Sequence, residues 1–374
     1  MDIVSALSPW TDAALEQVPG VALFDAHTHL GENDPDGMKQ TTDELLEVLR
    51  QPPARGAFAF PFHEPDGYRD ANDAVIAAAA ASESRLVAFC RVDPNDDAVG
   101  EARRALGAGA RGIKLHPRAE QFPLDHPQVR DLFTIAHERR LPILIHAGRG
   151  IPALGEHAIE LAGEFPDARV ILAHAGITDL SWIWRVAADL PNLLFDSSWW
   201  MTADLLALFS LVPPGQIVFA SDMPYGHTVI SGTAQMRLML QAGLTIEQIH
   251  LITHEQSLRL AAGEPLRSAG RPVGERERAG HVLLDRVAEF LQLGTIMTMR
   301  GVDLGPEMLA LARLSCVVPD DLDDAPVFAA IRRLLEQFDE ATAFDPENRR
   351  RLSFLMMAMT VARTPDVPLP PGFV

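Results

Sequence analysis

The chain contains little cysteine and almost no lysine. Its 374 residues include two cysteines, Cys90 and Cys316, which lie far apart in apolar surroundings. We expect both to be buried free thiols in a reducing compartment, the cytoplasm, rather than parts of a disulfide framework. Only two of the 32 basic residues are lysines, Lys39 and Lys114. Because arginine is otherwise preferred, the presence of a lysine at position 114, in the middle of an apolar segment, requires a specific explanation.

Long apolar runs and an excess of positive charge are also lacking. No apolar run approaches the roughly 20 residues that span a bilayer, and residues 1–20 contain acids but no basic cluster. We therefore expect neither a membrane span nor a secretory signal. The formal net charge of −19 excludes a general attraction to nucleic acids or anionic membranes. With 47% hydrophobic residues, the chain can form a large buried core.

Eight short apolar segments alternate with amphipathic stretches between residues 21 and 219. Such near-continuous apolar runs are typical of parallel strands that are buried on both faces. Eight strand–helix units in about 240 residues predict an α/β fold, a (β/α)8 TIM barrel. An open doubly wound sheet is the structural alternative, but it usually needs fewer units. The segments are Val21–Phe24, Ala57–Phe60, Leu86–Phe89, Gly112–Leu115, Ile143–Ile145, Val170–Leu172, Leu193–Phe195 and Ile217–Phe219.

The sequence changes character after residue 262. Residues 245–262 are predicted to form the last helix of the barrel, and residues 263–280, rich in Gly, Pro, Arg and Glu, a linker or loop. From residue 281 to 363 the apolar spacing is helical throughout. We therefore predict a barrel over residues 1–262 and a helical C-terminal extension over residues 263–374. This extension packs on the barrel, covers the active site or forms a subunit contact, and a homodimer is a further expectation.

Metal-competent side chains follow several of the apolar segments, where the catalytic residues of such barrels lie. His27 and His29 are two residues apart, so on a strand both point to one face. We expect His146 and Asp222 to reach the same point from strands five and eight. Three imidazoles and one carboxylate suit a divalent metal, zinc first, with iron, manganese or cobalt as alternatives. A single histidine would be better explained as a core residue, and only the joint pattern predicts a metal site.

Taken together and in order, these motifs resemble the amidohydrolase superfamily. The resemblance is closest to the branch that contains aminocarboxymuconate-semialdehyde decarboxylase and many "amidohydrolase 2" proteins. It covers roughly residues 21–260, and the helical extension lies outside it. The motifs that carry it are Asp25-Ala26-His27-Thr28-His29, Gly112-Ile113-Lys114-Leu115-His116-Pro117, His146-Ala147-Gly148, His174-Ala175-Gly176 and Ser221-Asp222.

The resemblance implies a role for each matching residue. His27 and His29 correspond to the metal-binding pair of strand one, and His146 to the ligand of strand five. Asp222 corresponds to the aspartate that binds metal and takes a proton from the attacking water. His174 corresponds to a histidine that polarises the substrate or relays protons in one-metal members and ligates a second ion in two-metal members. This agrees with general chemistry, since a cation lowers the pKa of bound water to about 7 and an imidazole can hydrogen-bond a developing oxyanion.

Lys114 has three interpretations. It is a structural residue, a cation that binds a substrate carboxylate, or a carboxylated lysine that bridges two metal ions. In the last case His27, His29 and Asp222 would hold one ion, whereas His146 and His174 would hold the other. Both functional interpretations require Lys114 to point into the barrel. His116 would then also point inward, because every second side chain of a strand faces the same side.

The preferred function is that of an enzyme, a metal-dependent hydrolase that uses metal-activated water on an amide, lactone or related bond of a small molecule. Non-oxidative decarboxylation of a small aromatic or enoic acid is the alternative, with Lys114, Arg91 or Arg118 holding the carboxylate. An iron-dependent oxygenase, with one iron ion or two, is a further alternative. A binding protein without activity is disfavoured by the complete ligand set. Asp196 and Ser197 are candidates to orient the ligands, and Trp199 and Trp200 either wall an apolar pocket or belong to the core.

Overall fold

A computed structural model describes residues 2–274, 281–302, 304–345 and 348–373. Eight strands and fifteen α-helices lie in these ranges. The strands are β1 Leu23–Leu30, β2 Ala54–Pro61, β3 Leu86–Arg91, β4 Gly112–Leu115, β5 Pro142–Ile145, β6 Arg169–Leu172, β7 Leu193–Asp196 and β8 Ile217–Val218. The helices are α1 Ile3–Gln17, α2 Thr42–Leu49, α3 Arg69–Ala81, α4 Ala98–Ala108, α5 Pro127–Arg139, α6 Gly155–Glu164, α7 Leu180–Ala187, α8 Thr202–Leu211, α9 Thr228–Ala242, α10 Ile246–His250, α11 Gln256–Ala262, α12 Val282–Met299, α13 Gly305–Ser315, α14 Ala325–Phe344 and α15 Leu352–Arg363.

The strands form one parallel sheet in the order β1 to β8. The gap between β8 and β1 is bridged just beyond the short strand β8. There the N–H of Ala26 donates to the carbonyl of Phe219 (2.9 Å), and the N–H of His29 donates to the carbonyl of Met223 (2.8 Å). The predicted (β/α)8 barrel is therefore confirmed.

Alternation along each strand divides the buried residues into two sets. Ile113 and Leu115 of β4 belong to the apolar cluster between the strands and the outer helices. Phe60 and Leu144 belong to a second cluster that fills the interior of the barrel. Lys114 lies between Ile113 and Leu115, so it must point to the interior, because successive side chains of a strand face opposite sides.

Two of the barrel helices begin at side-chain caps. The side chain of Thr41 accepts from the N–H of Glu44, whose carboxylate binds back to the N–H of Thr41, and Asp97 caps α4 through the N–H of Gly100. The predicted helix over residues 245–262 is interrupted by a π-helical turn, Leu251–Glu255. Helix α9 gave no sequence signal because it is buried on nearly all sides and thus lacks an amphipathic pattern.

Four helices, α12 to α15, follow the barrel, and the parts of residues 281–373 that the structure describes contain no strand. The predicted C-terminal helices are thus confirmed. They share an apolar cluster with residues of α1 and α9, among them Trp10 and Ile230. Residues 264–274 contain neither helix nor strand, and residues 275–280 of the predicted linker lie outside the described residues. The domain boundary at residue 262 stays a prediction.

Among the described helices, none is both long and apolar enough to cross a membrane.

Candidate active site

Three residues at the carboxyl end of the barrel form a group that can hold a metal ion. These are His27, His29 and Asp222, whose ligand atoms all lie within 4.8 Å of one another. The Nε2 atoms of His27 and His29 are each 3.2 Å from Oδ1 of Asp222. His27 and His29 lie within β1 rather than beyond it, next to an irregularity in the pairing of β1 with β2 between Asp25 and Thr28. This end of β1 meets the segment after β8, which brings Asp222 to both imidazoles.

Asp25 ties these two segments together beneath the group. It is fully buried and accepts hydrogen bonds from the N–H of Ser221 (2.9 Å), the hydroxyl of Thr228 (2.6 Å) and the N–H of His27 (3.2 Å). Burial raises the pKa of Asp25 to about 6, although these hydrogen bonds oppose the shift. The sequence placed Asp25 in the motif of strand one but gave it no role, because its partners come from the other end of the barrel.

Asp196 of β7 orients His27 from behind. Its Oδ2 lies 2.8 Å from Nδ1 of His27, while its Oδ1 accepts from the backbone N–H groups of His174 and Ser198, both at 2.9 Å. A histidine that donates from one ring nitrogen presents a lone pair on the other. His27 therefore presents the lone pair of Nε2 to Asp222. Asp196 thus has the orienting contact that the sequence suggested for it, whereas Ser198 was missed.

The electrostatics of the group favour a cation. Burial lowers the pKa of His27 and of His29, so both imidazoles are neutral at neutral pH. Burial opposes the charge of Asp222, but the hydrogen bond from His29 helps to hold the pKa of this carboxyl below its usual value. The lone pair of His27 Nε2 and an anionic oxygen then face each other at 3.2 Å. Two acceptors so close repel each other unless a positive charge lies between them, and this donor set therefore fits a divalent metal ion.

His146 and His174 form a separate pair beside this group. Nε2 of His174 lies 3.0 Å from Nδ1 of His146, and Nδ1 of His174 lies 2.8 Å from the carbonyl oxygen of Ser198. His146 stacks on His116, with 4.0 Å between the ring centroids. His146 is not among the three residues that can share one ion. His27, His29 and Asp222 thus form one group, and His146 and His174 lie beside it as a pair. The predicted ligation of the ion by His146 stays a prediction.

Lys114 lies inside the barrel beneath the metal group. Its side chain is fully buried, with Nζ 3.5 Å from Nε2 of His27 and 4.7 Å from the centroid of Phe60. Burial lowers the pKa of Lys114 to about 7. Within the described part of the chain, no carboxylate oxygen lies within 4 Å of Nζ to form an ion pair. Lys114 therefore points inward, as both functional interpretations require.

Two other basic residues that the sequence suggested lie in different surroundings. Arg91 is buried and pairs with Glu120 at 2.7 Å, so that its charge is largely compensated. The hydroxyl of Tyr68 also binds Glu120. Arg118 lies against Gly150 in the loop after β5. Lys114 is consequently the cation best placed to meet a substrate at the metal group.

Aromatic rings surround the entrance to the site. Phe62 stacks on His29 with 4.8 Å between the centroids and 7° between the planes, and Trp199 lies 6.2 Å from His174. Tyr225 remains 43% exposed, with its ring 6.4 Å from that of His29. The side chain of Asp222 is 21% exposed, so the group is accessible from this side. These rings therefore line the side from which the metal group is accessible.

The chain matches a model of the amidohydrolase family over residues 24–252. No curated protein matches the sequence. The fold is similar to that of three solved structures. They are an uncharacterised TIM-barrel protein from Bordetella bronchiseptica (16% identity, 70% of this chain and 92% of that chain, TM-score 0.50), a putative amidohydrolase from Staphylococcus aureus (16%, 65% and 99%, 0.51), and an amidohydrolase from Burkholderia multivorans solved with zinc bound (14%, 65% and 99%, 0.53).

Proposed function

The chain belongs to the amidohydrolase family, and we propose that it is a metal-dependent hydrolase acting on an amide, lactone or related bond of a small molecule. The single observation that carries this proposal is the group of His27, His29 and Asp222, in which neutral imidazoles and a carboxylate converge at the accessible end of the barrel. In this proposal these three residues hold the metal ion. Zinc is the first candidate, because imidazole and carboxylate ligands suit it.

The bound metal would supply a water nucleophile at neutral pH and polarise the scissile carbonyl. The protein side chains account for the other requirements. Asp222 has a second carboxylate oxygen that can accept a proton from the attacking water and later donate it to the leaving group. Asp196 holds His27 in the correct tautomer.

His174 is the candidate to stabilise charge on the substrate. Its Nδ1 is fixed by the carbonyl of Ser198, which places the proton on Nδ1 and leaves Nε2 directed at His146. If the pair takes up one proton from solution, the resulting imidazolium can stabilise a developing oxyanion through its positive charge. Alternatively, the pair binds a second ion, and the count of bound metal ions distinguishes these two roles.

Decarboxylation of a small acid is the second candidate, and Lys114 is the observation that favours it. A buried ammonium without an ion-pair partner in the described structure is suited to bind a substrate carboxylate next to the metal group. The carbon dioxide released by each acid in a substrate panel, compared with hydrolysis of the corresponding amides and lactones, separates the two reactions.

Metal analysis of the purified protein tests the proposal. We expect at least about one equivalent of zinc, iron, manganese and cobalt combined in the wild-type protein prepared without added metal, and almost none in a His27→Ala/His29→Ala double variant. His157→Gln is a matched control because His157 is exposed on α6, and it should keep the wild-type content. A wild-type sum well below one equivalent, not restored by added zinc, would refute the proposal.

A further inference from the structure

The C-terminal helices lie outside the part of the chain that the related proteins share. The family model matches residues 24–252, and the three similar structures cover 65–70% of this chain. We use the name C-terminal unit for the described residues from 281 to 373. Among the described residues, α15 of this unit packs against α8 and α9, and the unit shares an apolar cluster with residues of α1 and α9. Helices α8 and α9 follow β7 and β8 in the chain. The loop after β8 contains Asp222, and it pairs with β1, in which His27 and His29 lie.

Arg349 connects the C-terminal unit to the loop between β1 and α2. Its Nη1 lies 3.3 Å from Sδ of Met38 and 3.5 Å from the carbonyl oxygen of Asp36. The base of this loop is closed by a backbone bridge between Gly31 and Gln40. The buried amide of Gln40 then donates to the carbonyl of His29 at 3.0 Å. Arg349 is therefore linked, through contacts within one short loop, to the backbone of His29.

Asp34 joins the same loop to the segment after β8. It accepts from the N–H groups of Asp36 (2.9 Å) and Met38 (3.1 Å), which gives the loop its shape. Its other oxygen accepts from the hydroxyl of Tyr225 at 2.6 Å. Tyr225 follows Asp222 by three residues, and its N–H donates to the carbonyl of Asp222 at 2.8 Å. A contact that fixes the β1–α2 loop thus also restrains the loop that contains Asp222.

Trp200 makes the second connection, on the loop between β7 and α8. It packs against the apolar cluster of the C-terminal unit, α1 and α9. Its neighbour Trp199 lies 5.9 Å from it and faces His174 at 6.2 Å. The N–H of the Trp199 indole donates to Asp204 of α8, so the ring is held from two sides. Because Trp200 packs in this cluster, it helps to fix the position of its neighbour Trp199 beside His174.

We propose that the C-terminal unit positions the active-site loops after β7, β8 and β1, with Arg349 and Trp200 as its positioning residues. Barrel loops are the most mobile parts of such folds, and a site works best when its residues are held by contacts outside it. Contacts with the C-terminal unit reduce the mobility of the loops on the side of the barrel that carries the metal group. This inference rests on the proposed function only in naming those loops as parts of a metal site.

Amide hydrogen exchange of the full-length protein tests the role of Arg349. We expect Arg349→Ala to speed exchange of residues 31–40 about three- to tenfold, since it removes contacts of hydrogen-bond strength from a surface loop. Arg349→Lys should restore part of the protection. The matched control is Arg332→Ala, because Arg332 is exposed on α14 of the same unit. Equal exchange of residues 31–40 in the Arg349→Ala and Arg332→Ala proteins would overturn the proposal.

The Trp200 contact is tested in the same way over residues 197–202. Trp200→Ala should speed their exchange, whereas Trp200→Phe, which keeps a ring in the cluster, should remain close to wild type. An identical pattern in both variants would count against Trp200 as an anchor. Arg349→Ala should also weaken zinc binding by the protein about threefold or more, through the loop that reaches His29.

The exchange measurements are made without metal, so they remain informative if the protein binds none. Absence of zinc binding in the wild-type protein would defeat the proposed function, while the exchange data alone decide whether the loops are positioned by the C-terminal unit. Unaltered zinc affinity in Arg349→Ala, together with faster exchange, would overturn the link to the metal group.

Discussion

Asp196 lies 2.8 Å from Nδ1 of His27 through one carboxylate oxygen, while backbone N–H groups occupy the other. The two oxygens are therefore not equivalent. Two donors from His174 and Ser198 fix Oδ1, and only Oδ2 is left to accept the proton of His27. This arrangement holds His27 in the tautomer that presents Nε2 to Asp222.

Substituting Asp196→Asn should disturb this tautomer without removing the side chain. The two backbone donors will retain the amide oxygen at the position of Oδ1, so the amide NH2 will face Nδ1 of His27 and donate to it. The imidazole proton then moves to Nε2, where it blocks metal binding. We expect the zinc affinity to fall about 10- to 100-fold, measured by competition with a chelator.

Asp93→Asn is a suitable control for this substitution, because Asp93 binds Asn95 near the same end of the barrel but does not contact the metal group. Its zinc affinity should equal that of the wild-type protein. A wild-type affinity in Asp196→Asn as well would show that the tautomer of His27 does not control metal binding.

Gly148→Ala should displace the second pair of histidines while leaving the metal group intact. A Cβ at Gly148 would lie 2.7 Å from Cδ2 of His174 and 3.0 Å from Cε1 of His146, so at least one imidazole must move. A misplacement of about 1 Å can cost about 100-fold in rate. We expect turnover of any substrate identified in the panel to fall by about that factor, whereas zinc binding at His27, His29 and Asp222 changes less than twofold.

Loss of zinc in Gly148→Ala would instead show that His146 and His174 help to hold the first ion. A metal content that falls from two equivalents to one would assign a second ion to this pair. Normal turnover would remove His174 from the mechanism.

The fold could be predicted from the sequence because its signal is repetitive. Each strand is a short apolar run, and several helices begin at recognisable caps such as Thr41 and Asp97. The exact length of β1 could not be predicted, since the polar residues Asp25, His27 and His29 end the apolar run but not the strand. Those residues remain in β1 because their hydrogen-bond partners lie in β2 and in the segment after β8.

The site was predicted less completely. Residues at strand ends could be identified, because barrel topology brings them together wherever they lie in the sequence. Which of them lie close enough to form one group depends on distances that no spacing encodes, and the grouping of His27 and His29 with Asp222 is an example. Ser198 and Gln40 act through contacts with residues distant in the sequence, and neither stands in a recognisable motif. The contact of Arg349 with the β1–α2 loop is equally invisible without the fold.

His227 should make the stability of the protein depend on pH. Burial, assisted by the charge of Arg350 and opposed by that of Asp2, lowers the pKa of His227 to about 4. Both ring nitrogens are buried and have no hydrogen-bond partner in the described structure. The unfolded chain binds a proton near pH 6.5, while the folded protein does not until about pH 4. The contribution of neutral His227 to the free energy of unfolding is therefore fully present above pH 6.5 and is lost as the pH falls toward 4.

His227→Met removes this titration and fills a similar volume. Because no hydrogen bond is lost, we expect the variant to be at least as stable as wild type at pH 7.5. Between pH 6.5 and 4 its free energy of unfolding should fall less than that of wild type, by a difference on the order of 3 kcal/mol. Urea denaturation at several pH values measures this difference, and parallel curves for the two proteins would contradict the assignment.

Arg237 of α9 should anchor the end of the chain. Its buried guanidinium donates to the carbonyl oxygens of Pro368 (2.7 Å), Val367 (3.1 Å) and Thr364 (3.3 Å) and lies 5.3 Å from the ring of Trp10. Arg237→Met keeps the bulk but leaves these carbonyls without their donor. A buried polar group that is left without its charged partner destabilises the folded protein. We therefore expect the free energy of unfolding to fall by about 3 kcal/mol.

The same substitution should expose the chain end before the whole protein unfolds. Trypsin under native conditions should cleave Arg237→Met after Arg363 faster than it cleaves wild type, because Arg237 binds three carbonyl groups of the segment that follows. Arg332→Met removes an exposed arginine from α14. It should change neither the free energy of unfolding nor the rate of cleavage after Arg363. If both variants are cleaved at the wild-type rate, the segment is held by its apolar contacts, such as that of Phe373 with Trp10 at 4.9 Å, and not by the buried guanidinium.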